Sequence, residues 1–180
     1  MTEKFQQEID TFLQSISVAS LRALVDDVFR QSFEILLEQT GADAGALWVL
    51  ESANPDNLTI AVNVGDKGES IEGNVSQTLD SGLVSRAFKE NVFVHDEGAF
   101  RSTDQSMDVD MQLGQYTTHQ MASPFQVFGQ PIGALTVIQL SSTKDAQGRE
   151  WGFSDSASQA FQSWVPVAER LVEYSVVRSS

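Results

Sequence analysis

The two histidines of this chain, His95 and His119, stand in an acidic stretch that also holds Asp96, Glu97, Asp104, Asp108 and Asp110. Imidazole beside carboxylates is a donor set for a first-row divalent metal. The aspartates lack the loop grammar of a calcium site. On a chain of net charge −14, scattered acids read as hydrated surface, so no metal is expected. There is no cysteine. That removes disulfides, thiolate metal sites, thiol catalysis and thioether attachment of a cofactor. The serines include no nucleophile-elbow pattern, and two histidines without supporting motifs make no triad. No phosphate-binding loop or basic cluster is present. The chain is therefore expected to be no enzyme and to carry no cofactor.

Composition narrows the partners. At 180 residues and 41% apolar, the chain suffices for one domain with its own core. Its negative charge would repel phosphate backbones and anionic membrane surfaces, so no nucleic acid and no membrane insertion are expected. No apolar run nears the roughly 18 residues of a membrane span. Met1 to Glu8 lacks the basic start and apolar stretch of a signal peptide. A cytoplasmic address is the expectation.

The elements follow from spacing. Phe5, Ile9, Phe12, Leu13 and Ile16 recur at intervals of three and four, and Leu21 to Leu37 continue the helical pattern. The stretch from Ser17 to Ser20 is a candidate break, with Ser20 a candidate cap for a second helix. Gly41 ends the run. Ala46–Leu50 and Leu58–Val64 read as an antiparallel hairpin joined by turn residues from Asn54 to Asn57. Residues 65–77 read as loop. A short helix over 80–88 is capped by Asp80 or Ser81 and ended by Asn91, with a brief strand at Val92–Val94. Residues 95–116 form the longest aperiodic stretch, with a short helix around Asp108–Leu113. Strands at 120–127 and 131–140 follow, Pro124 marking an edge or a bulge. Ser154 caps a closing helix that carries Phe161, Trp164, Val165, Ala168, Leu171 and Val172.

That order, with several local sequences, resembles the GAF domain. Gly41–Leu50 looks like its first core helix entering its first strand. Ser81–Phe88 followed by Val92–Asp96 is similar to its "glycine-leucine, short helix, strand, aspartate" passage. Ser123–Val127 to Gly133–Val137 resembles its late hairpin, and Phe153–Asp155 the cap of its closing helix. The resemblance covers roughly residues 20–176, leaving 1–19 as a helical connector and 177–180 as a tail. It implies an α+β sandwich: a central antiparallel sheet of about five to six strands, terminal helices on one face, a long loop and short helix on the other.

It also implies a sensory or regulatory domain, part of a larger two-component or related signalling protein with an output domain. Such a domain binds a small molecule or relays a signal through dimeric terminal helices. The alternatives are a ligand-free dimerisation module and a cyclic-nucleotide-binding domain. For the last, Phe93–Glu97 is only faintly similar to the family signature. Covalent bilin attachment and methionine-sulfoxide reductase chemistry both need the thiol this chain lacks. Residues bordering the family cavity are Trp48, Phe93, Phe100, Tyr116, His119, Met121 and Phe125, and these are the candidate ligand contacts. Phe5, Ile9, Phe12 and Ile16 precede the family core and are expected to pair, with Leu171 and Val172, against a second copy of the chain.

Overall fold

The computed structural model describes residues 3–97, 107–141 and 151–179, with the side chains of residues 4, 5, 96, 97 and 107 outside the description. Helices α1 (Glu3–Gln14), α2 (Val18–Leu24) and α3 (Asp27–Thr40) come first. The hairpin β1 (Ala44–Leu50) and β2 (Asn57–Gly65) follows, then a 3-10 turn (Gly68–Ile71) and β3 (Ser76–Thr78). Next are α4 (Leu83–Glu90), β4 (Val94–Glu97), α5 (Met107–Leu113), β5 (Thr117–Val127), β6 (Gln130–Leu140) and α6 (Asp155–Ser179). The six strands form one antiparallel sheet in the order β3-β2-β1-β6-β5-β4.

The helical breaks have local causes. α2 starts one turn before the expected Ser20 cap: Ser17 is the N-cap, and its side chain accepts from the Ser20 N–H. Ser20 Oγ in turn accepts from the Ser17 N–H at 2.9 Å, which closes a capping box. Asp26 caps α3 through the Phe29 N–H at 3.0 Å, and Gly41 ends it at φ 69. Ser154 caps α6 by accepting from the Ala157 N–H at 3.1 Å. α4 departs from expectation, since its N-cap is Gly82 and no side chain caps it. β4 begins at Val94 and runs to Glu97, later than the expected strand. Pro124 sits in β5 beyond the last residue that pairs with β4, so its missing N–H leaves no ladder bond unmade.

The sheet divides the chain into two unequal layers. On one face, α2, α3 and α6 cover Leu47, Val49, Val62, Met121, Phe125, Leu135 and Val137 with Phe29, Phe33, Phe161 and Val165. Trp164 packs against Phe33 at 4.6 Å and Phe29 at 5.7 Å between centroids, locking α3 to α6. On the other face, α4 and α5 cover smaller clusters built on Ala46, Trp48, Leu58, Ile60, Val84 and Ala134, and on Leu83, Ala87, Val94 and Ala122.

α1 corrects an expectation. Ile9 and Ile16 are buried within this same chain, and Phe12 and Leu13 pack on the helical-face core. The Ser52 N–H donates to Ile16 O at 3.2 Å, tying the α1–α2 joint to the β1–β2 hairpin. The apolar stripe of α1 thus covers its own domain, and Val172 is likewise buried in the core. Leu171 is half-buried beside it. The Phe5 side chain lies outside the described residues.

Candidate functional site

The α4–α5 face holds a part-open cavity of about 50 Å³. That is small beside the roughly 300–1,000 Å³ of ordinary ligand pockets. Ala44, Gly45 and Ala46 of β1 supply a floor of small residues, and Trp48 stands at its end as an aromatic wall. The indole is fixed: Trp48 Nε1 donates to Thr136 Oγ1 at 3.1 Å, which itself donates to Ala46 O at 3.4 Å. The indole N–H is therefore already used, and Trp48 lines the cavity as an apolar ring.

The walls are pinned by local hydrogen bonds. Gln77 Nε2 donates to Ser81 O at 2.7 Å and Ser85 Oγ at 3.0 Å, setting the start of α4. Gly82 is required there: its φ is 95, and a Cβ would collide with the Gln77 amide. Leu83 and Val84, the first residues of α4, line the cavity. α5 is latched by Asp110, whose carboxylate accepts from the Thr117 N–H and Oγ1–H, both at 2.8 Å. Asn63 Nδ2 donates to Asp66 O at 2.9 Å and Gly68 O at 2.8 Å, holding the rim loop of Asp66 and Lys67.

One polar cluster passes round the β2 edge from this rim to the helices. The Glu72 side chain is fully buried. Its Oε1 accepts from Arg30 Nη1 at 2.8 Å and from the Asn63 N–H at 2.8 Å. Its Oε2 accepts from Arg30 Nη2 at 3.2 Å and pairs with Arg22 Nε at 3.0 Å. The bond to Glu72 holds the Arg30 guanidinium pKa above its ordinary value, against the opposing effect of burial.

Two amides complete the lining. Gln115 is 7% exposed, yet its side chain makes no hydrogen bond to any described residue. Gln120, half-buried on β5, likewise has no side-chain hydrogen bond among the described residues. A buried amide that meets no protein partner normally meets water or a ligand.

Of the residues named from the sequence, Trp48 lines this cavity. The other described ones lie elsewhere. Met121 and Phe125 point to the helical face and are fully buried there. Phe93 packs against Phe161 on that same face at 6.1 Å. Tyr116 is 63% exposed. His119 stacks on Trp151 at 6.4 Å and borders an open groove with Gln139 and Phe153. Phe100 lies outside the described residues. The placement expected for these side chains followed the wrong alternate residues of β5: Gln120 and Ala122 face α4, while Met121 and Phe125 face α6. A register shift between Thr117 and His119 adds to the displacement, bringing Thr117 to the cavity. Gln77, Gln115 and Thr136 were missed, since nothing local distinguishes them from ordinary loop and strand residues.

No protein-family model matches the sequence, and no curated protein matches it. Solved structures do match in fold. The GAF domain of a phosphoenolpyruvate-protein phosphotransferase from Coxiella burnetii superposes with TM-score 0.64 at 15% identity, over 96% of each chain. The corresponding domain from Acinetobacter gives 0.63 at 15%, over 99% of each chain. A free methionine-R-sulfoxide reductase from Neisseria meningitidis, solved with its substrate, gives 0.61 at 11%, over 91% of this chain and 89% of that one. The chain has the GAF fold. Among the described residues no helix is long and apolar enough to cross a membrane, and no group of three metal-ligating side chains occurs.

Proposed function

We propose that this chain is a regulatory domain of a signalling protein, taking a small guest in the α4–α5 cavity and relaying its presence to the helical layer. The observation that carries this reading is the part-open cavity with a fixed indole wall and Gln115, a buried residue whose amide has no partner among the described residues. The Glu72 cluster supports the relay, because it joins a cavity-lining residue, Asn63, to α2 and α3. The cavity volume speaks for guests of a few heavy atoms and against the cyclic-nucleotide alternative. A thermal-shift screen tests this. Small metabolites are expected to raise the melting temperature, cyclic nucleotides and tetrapyrroles to leave it unchanged. A clear rise with a cyclic nucleotide alone would overturn the size argument.

The proposed relay is a homodimer formed through the outer face of the helical layer. Val28 and Ile35 of α3 and Val167, Tyr174 and Val177 of α6 are exposed. Val167, Arg170, Tyr174 and Val177 recur at intervals of three, four and three, the seam spacing of packed helices. This face replaces the α1 stripe, which the chain already uses. Light scattering is expected to give a dimer for the wild type and a monomer for a Val167→Asp, Tyr174→Asp variant. A wild-type monomer at high concentration would refute it.

A further inference from the structure

We propose that the guest of the α4–α5 cavity is a small neutral molecule bearing an amide edge, a primary amide or a urea, bound through Gln115 and Gln120. The inference rests on the reading of that cavity as a ligand site and adds the chemical class.

Charge decides the class first. An ion entering the cavity must leave water and find an available countercharge, or it forfeits several kcal/mol. Inside, Asp110 already spends both carboxylate oxygens on Thr117. Asp66 and Lys67, neighbours of opposite sign, are both exposed at the rim. The net charge of −14 further opposes an anion. The carboxylate of Asp110 and the uncapped start of α4 also act in opposite senses, so the wall selects neither sign.

Hydrogen bonding decides it second. A carboxamide side chain presents a donor pair beside an acceptor, and its best complement is another amide edge, which returns one of each. Gln115 is more than nine-tenths buried and carries no partner among the described residues. Gln120 offers the same pattern from the sheet. Trp48 gives a flat apolar surface, suited to the face of a planar group.

Size decides it third. A cavity this small beside ordinary ligand pockets speaks for a guest of only a few heavy atoms, the class of acetamide or urea.

Acetamide, acetate and ethylammonium, similar in size and differing in charge, are the probes. The protein is labelled with 5-fluorotryptophan, and the three fluorine resonances are assigned with Trp48→Phe, Trp151→Phe and Trp164→Phe variants. Acetamide is expected to shift the Trp48 resonance saturably while Trp151 and Trp164 stay still. Acetate and ethylammonium at equal concentration are expected to move nothing. Gln115→Leu, which removes a side chain that bonds to no described residue, is expected to weaken acetamide about tenfold, the loss of one buried hydrogen-bonded contact. Gln115→Glu is expected to abolish it. If acetate or ethylammonium shifts Trp48 as well as acetamide does, the neutral class is wrong and the cavity stands as a ligand site. If acetamide binds equally well to both Gln115 variants, the assignment to Gln115 is wrong. If no probe moves Trp48 at any concentration, the cavity reading falls together with the class.

Discussion

The two faces of the sheet are covered on different terms. The helical face is a continuous core in which aromatic rings interlock: Phe33 is fully buried, 6.1 Å edge-on from Phe29 and 4.6 Å from Trp164. The α4–α5 face is clad by two short helices over alanines, and a cavity remains. Close packing gives one face its stability; incomplete packing leaves the other the cavity that the proposed guest would fill.

That contrast predicts unequal responses to mutation. Phe33→Ala empties the centre of the helical face and should cost about 4 kcal/mol, read from the denaturant midpoint. A cost near 1 kcal/mol would mean that the helical layer is as loosely packed as the other. Glu72→Gln strikes the junction between the faces. Removing one partner of a buried ion cluster should cost about 3 kcal/mol, in part because Arg30 keeps its charge at 20% exposure. Hydrogen exchange should then rise both in α2 and α3 and at the cavity rim. A rise confined to one side would break the proposed relay.

Asp110→Asn tests the weaker face alone. It removes an acceptor from the α5 latch, where the Thr117 N–H and Oγ1–H both bond to the carboxylate. Global stability should fall by only about 1 kcal/mol. Exchange of the α5 amides should rise well beyond that of α3 or α6. Equal increases in all three helices would erase the distinction between the faces.

The element order was legible because it rests on local signals: 3.6-residue spacing, capping serines, Gly41 and Asn91 in left-handed conformations. Which layer each strand face meets was not. A period of two says that Met121 and Phe125 share a side; it does not say whether that side meets α6 or α4. Met121, Phe125 and Val127 make one side of β5 apolar while Gln120 and Gln126 make the other more polar, yet alternation does not name the layer either side meets, and the shift at Thr117 moved the pattern. The stripe on α1 posed the same problem. Amphipathicity announces that Ile9 and Ile16 need cover, while only the assembled hairpin and β5–β6 turn show that their own domain provides it. Gln115 carries no signal at all, since its interest comes from burial without a partner among the described residues, a property of the fold.

The smallest expected effect concerns the rim of the tight face. Glu169 on α6 accepts from the Gln126 N–H at 2.8 Å, joining the helix to the end of β5. Burial pushes its pKa up, the Gln126 bond pulls it down, and Glu173 pushes it up again, with a net rise. The folded value then lies above the unfolded one, so the fold binds the proton more tightly. Stability from this group is fully present below the ordinary carboxylate range and is lost as pH rises through the raised value. At neutral pH the fold therefore carries the cost of an ionised, half-buried carboxylate. Glu169→Gln keeps an acceptor for the Gln126 N–H and removes the charge. It should stabilise slightly at pH 7, by less than about 1 kcal/mol given solvent screening, and be neutral at pH 4. Melting temperatures of the two proteins should diverge as pH rises through the raised value. A variant less stable than wild type at pH 7 would show that the ionised carboxylate at Gln126 outweighs its desolvation, and that the rim of the helical face is wetter than its core.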